Sequence, residues 1–152
     1  MRIPLIAAVL AIGACNDPVA PLAGERYVLR QVNGATLPAS QTGFNSQVLA
    51  DTLVFGVESS QWRPSPLARA VRQVRHLDGR VAFEEWWYTY EFGTGGSFPI
   101  RGLCADGDLA RVATSSASCI DTSGTATMTG DELVISFRVL GTLRYQRVGT
   151  GA

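Results

Sequence analysis

From residue 25 onward apolar and polar positions alternate with a period of two, interrupted at short intervals by glycine-containing turns. That pattern predicts antiparallel strands. Residues 25–32 are rich in strand formers and run into Asn33-Gly34, a two-residue hairpin signal whose members tolerate positive φ. Over residues 48–57, Leu49, Leu53, Phe55 and Val57 are expected on one side of the pleat, with Thr52 and Gly56 on the other. Asp78-Gly79 predicts a second hairpin, flanked by 71–77 and 80–92. After the turn cluster Thr129-Gly130-Asp131, Leu133, Ile135, Phe137 and Val139 alternate with Val134, Ser136 and Arg138. Leu143, Tyr145 and Arg147 then follow Gly141, which reads as a bulge in one long terminal strand. Turns at this frequency leave about eight short strands. The expected fold is all-β, a single antiparallel up-and-down β-barrel, with a β-sandwich as the alternative.

Residues 67–77 fit two periods. Leu67, Ala70, Val71, Val74 and Leu77 sit at helical spacing, and Arg69, Arg72 and Arg75 recur every third residue. The turn at Asp78-Gly79 joins this run to an aromatic strand beyond it, which favours a strand here over an amphipathic helix.

That aromatic strand carries the main candidate site. In Trp86-Trp87-Tyr88-Thr89-Tyr90-Glu91-Phe92, alternation places Trp86, Tyr88, Tyr90 and Phe92 on one face and Trp87, Thr89 and Glu91 on the other. Each large ring buries about 150–250 Å², so the stripe either fills a barrel core or lines a cavity for a small apolar or aromatic ligand. An eight-stranded barrel has room for one or the other. Trp87 and Trp62 also offer rings for stacking on carbohydrate from outside.

The N-terminus changes the picture of where such a barrel would sit. Met1-Arg2 gives one positive charge, residues 3–12 are apolar, and Gly13-Ala14-Cys15 ends the run. The stretch is shorter than the roughly 20 residues a membrane-spanning helix needs, so a secretory signal is the remaining class. The Gly-Ala-Cys ending resembles a bacterial lipobox. That resemblance implies cleavage before Cys15, a lipid on its sulfur and anchoring to a membrane of the bacterial cell envelope. Asn16 rather than Asp after the cysteine favours the outer membrane over the inner one. A plain secretory signal cleaved after Ala14 is the competing reading. The organisation expected is a signal peptide over 1–14, a lipid-anchored tether over 15–24 with two prolines, and a β-barrel domain over 25–150.

A second motif, Tyr27-x-Leu29-x-x-Val32-Asn33-Gly34-x-x-Leu37-Pro38, is similar to the opening of many small bacterial lipoproteins. What this likeness implies is a lipocalin-like, up-and-down barrel whose last strand carries an aromatic and an arginine, here Tyr145 and Arg147.

With Cys15 assigned to lipid, Cys104 and Cys119 remain, and an even pair in an exported chain reads as a disulfide. Closing the 14-residue interval contributes ~3 kcal/mol in the chain-entropy model. Metal thiolates are the alternative, but neither further cysteines nor neighbouring histidines accompany the pair.

Charge and composition mainly exclude. The 13 basic residues are all Arg and meet 13 Asp and Glu, so the strongly basic surface that nucleic acid requires is not expected. Arg63, Arg69, Arg72, Arg75 and Arg80 crowd into one stretch and read as a solvated face, or as a contact for anionic headgroups. His76 is the one imidazole, and beside a turn it is expected to be exposed and structural. Glu84 and Glu85 are adjacent, hence on opposite faces of a strand, and cannot act as paired carboxylates. Asp106, Asp108 and Asp121 suit turns better than a calcium site. The expectation is therefore a non-catalytic protein with no cofactor and no metal, most often a monomer. Its partners would be a membrane, through the anchor, and a small hydrophobic ligand in the barrel. The alternative is a filled barrel that contacts an envelope partner or polymer.

Overall fold

The computed structural model describes residues 23–41, 44–57, 67–93, 95–103 and 122–150. Ten strands are found there: β1 (Glu25–Val32), β2 (Ala35–Thr36), β3 (Ala39–Ser40), β4 (Ser46–Val57), β5 (Leu67–His76), β6 (Val81–Tyr90), β7 (Ser97–Gly102), β8 (Ser123–Thr129), β9 (Glu132–Phe137) and β10 (Gly141–Thr150). The order β1-β10-β9-β8-β7-β6-β5-β4 closes on itself through the pairing of β1 with β4. All of these pairings are antiparallel. The result is an eight-stranded up-and-down β-barrel, with the two-residue strands β2 and β3 outside the ring. Closure leaves the ring strands without free ends of sheet, which is how an all-β chain of this size avoids edge-to-edge association. Residues 67–76 are a strand and not a helix.

The turns are placed by local chemistry. Asn33 has φ 51° and Gly34 φ 82°, the two positive values a type I′ hairpin demands. Asn33 also reaches across to β10, where its Oδ1 accepts from the Thr142 N–H at 2.7 Å and its own N–H donates to the Thr142 carbonyl at 2.7 Å. A side chain at Gly141 would collide with that Asn33 amide, so the glycine belongs to the contact. Gly141 opens β10, and a separate turn over 138–140 precedes it; it is not a bulge within one long strand. The same turn carries Val139 out to 40 % exposure, while Leu140 takes the buried position in its place.

β4 departs from the expected phase. Its register with β5 shifts between Val48 and Ala50 and again between Phe55 and Val57. Each bulge exchanges the faces of the residues beyond it. Val48, Asp51, Leu53 and Phe55 therefore point inward, whereas Leu49 and Val57 do not join the core.

The interior is packed by pairing large side chains with small ones in adjacent strands. Across the sheet Phe55 faces Ala68, Ala68 faces Tyr88, and Tyr88 faces Gly102. One layer away, Leu53 faces Ala70 and Ala70 faces Trp86. The alanines of β5 leave the volume that the rings on either side occupy. Phe55 lies 5.6 Å from the ring of Tyr27, 4.9 Å from Tyr90 and 6.2 Å from Phe98, each edge-on. Tyr88 and Phe137 are 5.8 Å apart.

Candidate functional site

The aromatic stripe faces inward as alternation predicts. Tyr88 and Tyr90 are buried, and Trp86 and Phe92 pack half-buried against the core. Their ring neighbours differ: Tyr90 and Phe92 pack against Phe98 at 6.0 and 5.1 Å, and Tyr88 packs on Phe137. Trp86 sits at the other end, beside a cluster that sequence reasoning did not identify.

That cluster is built around Arg72. The inward phase of β5 runs Ala68, Ala70, Arg72, Val74, and Arg72 meets Asp51 directly across the β4–β5 ladder. Its Nε donates to Asp51 Oδ2 at 2.8 Å, and Nη2 lies 2.7 Å from the same oxygen. Nη1 donates to Gln41 Oε1. From β10, separated from β4 by β1 alone, the Tyr145 hydroxyl donates to Asp51 Oδ2 at 3.1 Å. The Trp86 ring lies 5.5 Å over the guanidinium and meets Phe44 edge-on at 5.9 Å. Asp51 and Arg72 are each 1 % exposed. The expectation of a solvated arginine face fails at this residue, because helical spacing and strand alternation assign it to opposite environments. The period-two reading alone, with Arg72 in phase with two alanines and a valine, carried the signal.

Among the described residues two further arginines of the run are engaged. Arg69 pairs with Glu85 at 3.0 Å and stacks over Trp87 at 5.8 Å, which occupies the ring otherwise open to carbohydrate. Arg80 pairs with Asp78 across the hairpin turn, and the exposed Arg75 carries no ion pair among the described residues. Ion pairs as exposed as these are screened by solvent and add little to stability. Glu84 accepts from Trp86 Nε1 at 3.2 Å while Glu85 lies on the outer side with Arg69, so the two carboxylates do face opposite ways.

Electrostatically the buried pair pulls in two directions. Burial pushes the Asp51 carboxyl above its ordinary range, against the Arg72 guanidinium and the Tyr145 hydroxyl. Burial alone would lower Arg72, yet Asp51 holds it above its ordinary value. A guanidinium does not lose its proton in a protein, and a neutral Asp51 would leave it an uncompensated buried cation. The charged pair is therefore the resting state, and the upward displacement of Asp51 reflects its lost hydration.

A smaller polar group marks the opposite end of the barrel. Tyr27 donates to Glu25 Oε2 at 2.9 Å, and Arg147 bridges Glu25, at 3.1 Å, and Asp131. On the outer wall, Arg26, Thr52, Val54, Val57, Arg69 and Val71 line an open groove of about 390 Å³; none of the stripe residues borders it. Among the described residues no three His, Cys, Asp or Glu side chains gather as metal ligands do. Cys15, expected to carry the lipid, the pair Cys104 and Cys119 expected to form a disulfide, Arg63, Trp62 and the carboxylates Asp106, Asp108 and Asp121 lie outside the described residues.

The chain's four tyrosines, Tyr27, Tyr88, Tyr90 and Tyr145, all face inward, and burial raises every one of their hydroxyls above the ordinary 10.0. The fold thus keeps protons that the unfolded chain releases near pH 10, so this contribution to stability is complete below pH 10 and declines as pH rises beyond it. Alkaline titration followed by tyrosinate absorbance should show little ionisation until the barrel unfolds, and then all four phenols together. Reversible ionisation of most phenols near pH 10 in a folded barrel would refute the inward placement.

Comparison with protein-family models, curated proteins and solved structures finds no match. The functional reading therefore rests on the geometry above.

Proposed function

We propose that this protein is a lipid-anchored, non-catalytic component of the bacterial cell envelope, outer membrane favoured, whose barrel is solid and whose outer surface meets an envelope partner or polymer. One observation carries the choice of a solid barrel over a ligand carrier. The rings that would line a ligand cavity, Tyr88, Tyr90 and Phe92, are spent on Phe55, Phe98 and Phe137, and the space beside Trp86 holds the Arg72–Asp51 pair. Eight-stranded barrels accommodate side chains or one small ligand, not both.

The surface for such a contact is suggested by exposure. Leu77 is 85 % and Phe83 69 % exposed, and Val81 joins them at the tip of the β5–β6 hairpin. β1 begins beside the end of β4 and the start of β5, so the chain enters the barrel at the end opposite this tip. A tether from Cys15 would hold the first end toward the membrane and leave the tip facing away from it.

Expression of the full chain in a bacterium that processes lipoproteins, with fractionation and intact mass measurement, tests both parts. The wild type should pellet with membranes, lack residues 1–14, carry acyl mass and retain no stoichiometric small molecule; Cys15→Ser should appear in the soluble fraction. Membrane association unchanged in Cys15→Ser would overturn the anchor. A ligand that copurifies one to one and is lost in Tyr88→Phe or Tyr90→Phe would overturn the solid barrel.

A further inference from the structure

Three polar atoms of the buried cluster have no hydrogen-bond partner: Asp51 Oδ1, Gln41 Nε2 and Arg72 Nη2. Arg72 Nη2 touches Asp51 Oδ2, so its charge is compensated while its protons are not aligned on an acceptor. Gln41 is only 4 % exposed, and Asp51 and Arg72 are 1 % exposed. Buried polar atoms in folded proteins are bonded to protein or to ordered water with few exceptions, so three orphans in one connected cluster ask for an occupant.

Their chemistry specifies it. The set is two donors, on Gln41 and Arg72, and one acceptor, on Asp51. Gln41 Nε2 shares its amide with Oε1, which accepts from Arg72 Nη1, and Asp51 Oδ1 shares its carboxylate with Oδ2, which accepts from Arg72 Nε, so both belong to groups held directly by the guanidinium that carries the third orphan. Turning the Gln41 amide over offers no cure, since Nε2 would then oppose the Arg72 Nη1 donor. An anion in this space would meet Asp51 and a cation would meet Arg72, while the near-complete burial of all three side chains leaves no opening for an organic solute.

We propose that a single ordered water molecule is bound between Gln41, Asp51 and Arg72, accepting from Gln41 Nε2 and Arg72 Nη2 and donating to Asp51 Oδ1. Buried waters typically make about three such bonds. The water ties Gln41, which follows β3 outside the ring, to β4 and β5 inside it, and so completes the polar layer beneath Trp86. The site does not depend on the membrane anchor.

Water magnetic relaxation dispersion on the full chain tests this, comparing the wild type with Gln41→Met, which keeps the side-chain length and removes the amide. The long-lived water signal should fall by one molecule in the variant; equal signals in two folded proteins would overturn the site. A wild-type crystal structure provides a second reading that needs no variant. Density for one water within hydrogen-bond distance of all three atoms is the expected result, and an empty space, direct protein bonds to the three atoms or a bound organic solute would each overturn it.

Discussion

Asp51→Ala is expected to lower the unfolding free energy by about 3–5 kcal/mol, the usual consequence of removing one member of a buried ion pair. The loss comes less from the attraction itself than from what remains: Arg72 stays charged, 1 % exposed and without its carboxylate, and the Tyr145 hydroxyl loses its acceptor. Arg72→Met should be similarly damaging, because it strands the Asp51 carboxylate and removes the cation beneath Trp86. The double variant Asp51→Leu with Arg72→Met removes both charges at once and should cost much less than the two single losses added together, since apolar replacements of a buried pair are often neutral or better. Urea unfolding of the four proteins gives the coupling. Single-variant losses under about 1 kcal/mol, the level of an exposed pair, would mean that water reaches Arg72 and that the cluster is open.

Phe55→Ala should cost about 3–5 kcal/mol, the range for deleting a buried aromatic ring. The residue stands where the rings of Tyr27, Tyr90 and Phe98 converge from three other strands, so no single neighbour can turn to refill the space. Its sequence neighbour Val54 points outward into the wall groove, and Val54→Ala should fall within about 0.5 to 1 kcal/mol, as substitutions outside a core do. Denaturant midpoints for both variants, with unchanged denaturant dependence, check the pair. Equal effects at 54 and 55 would show that the inward phase of β4 has been assigned to the wrong residues. The comparison matters for function because a barrel that tolerates the loss of Phe55 would have the slack a ligand carrier needs.

Much of this fold was legible in the chain, and the reason is range. The turns at Asn33-Gly34, Asp78-Gly79 and Thr129-Gly130-Asp131 depend on the φ preferences of the residues that make them, and all three join strands. The inward stripe of β6 depends on alternation, which a single strand obeys by itself. Failures began where a second strand intervened. In β4 the expected set of Leu49, Leu53, Phe55 and Val57 was split by two bulges, which arise from the register against β5 and leave no mark in local composition. At the C-terminal hairpin Gly141 looked like a bulge, and its role as the start of β10 against Asn33 became visible only once β1 and β10 were side by side.

The sequence by itself determined an all-β chain, its principal turns and the residues offered to the interior of β6, because these follow from backbone preferences and a two-residue period. The tertiary structure alone decided that the barrel closes through β1 and β4, that rings from different strands meet at Phe55, and that Arg72 is a core residue. An arginine at an inward position costs too much to bury unless a carboxylate waits on the next strand. Asp51 occupies that place only after a bulge in β4 has turned it inward, an outcome set by strand pairing between residues far apart in the chain.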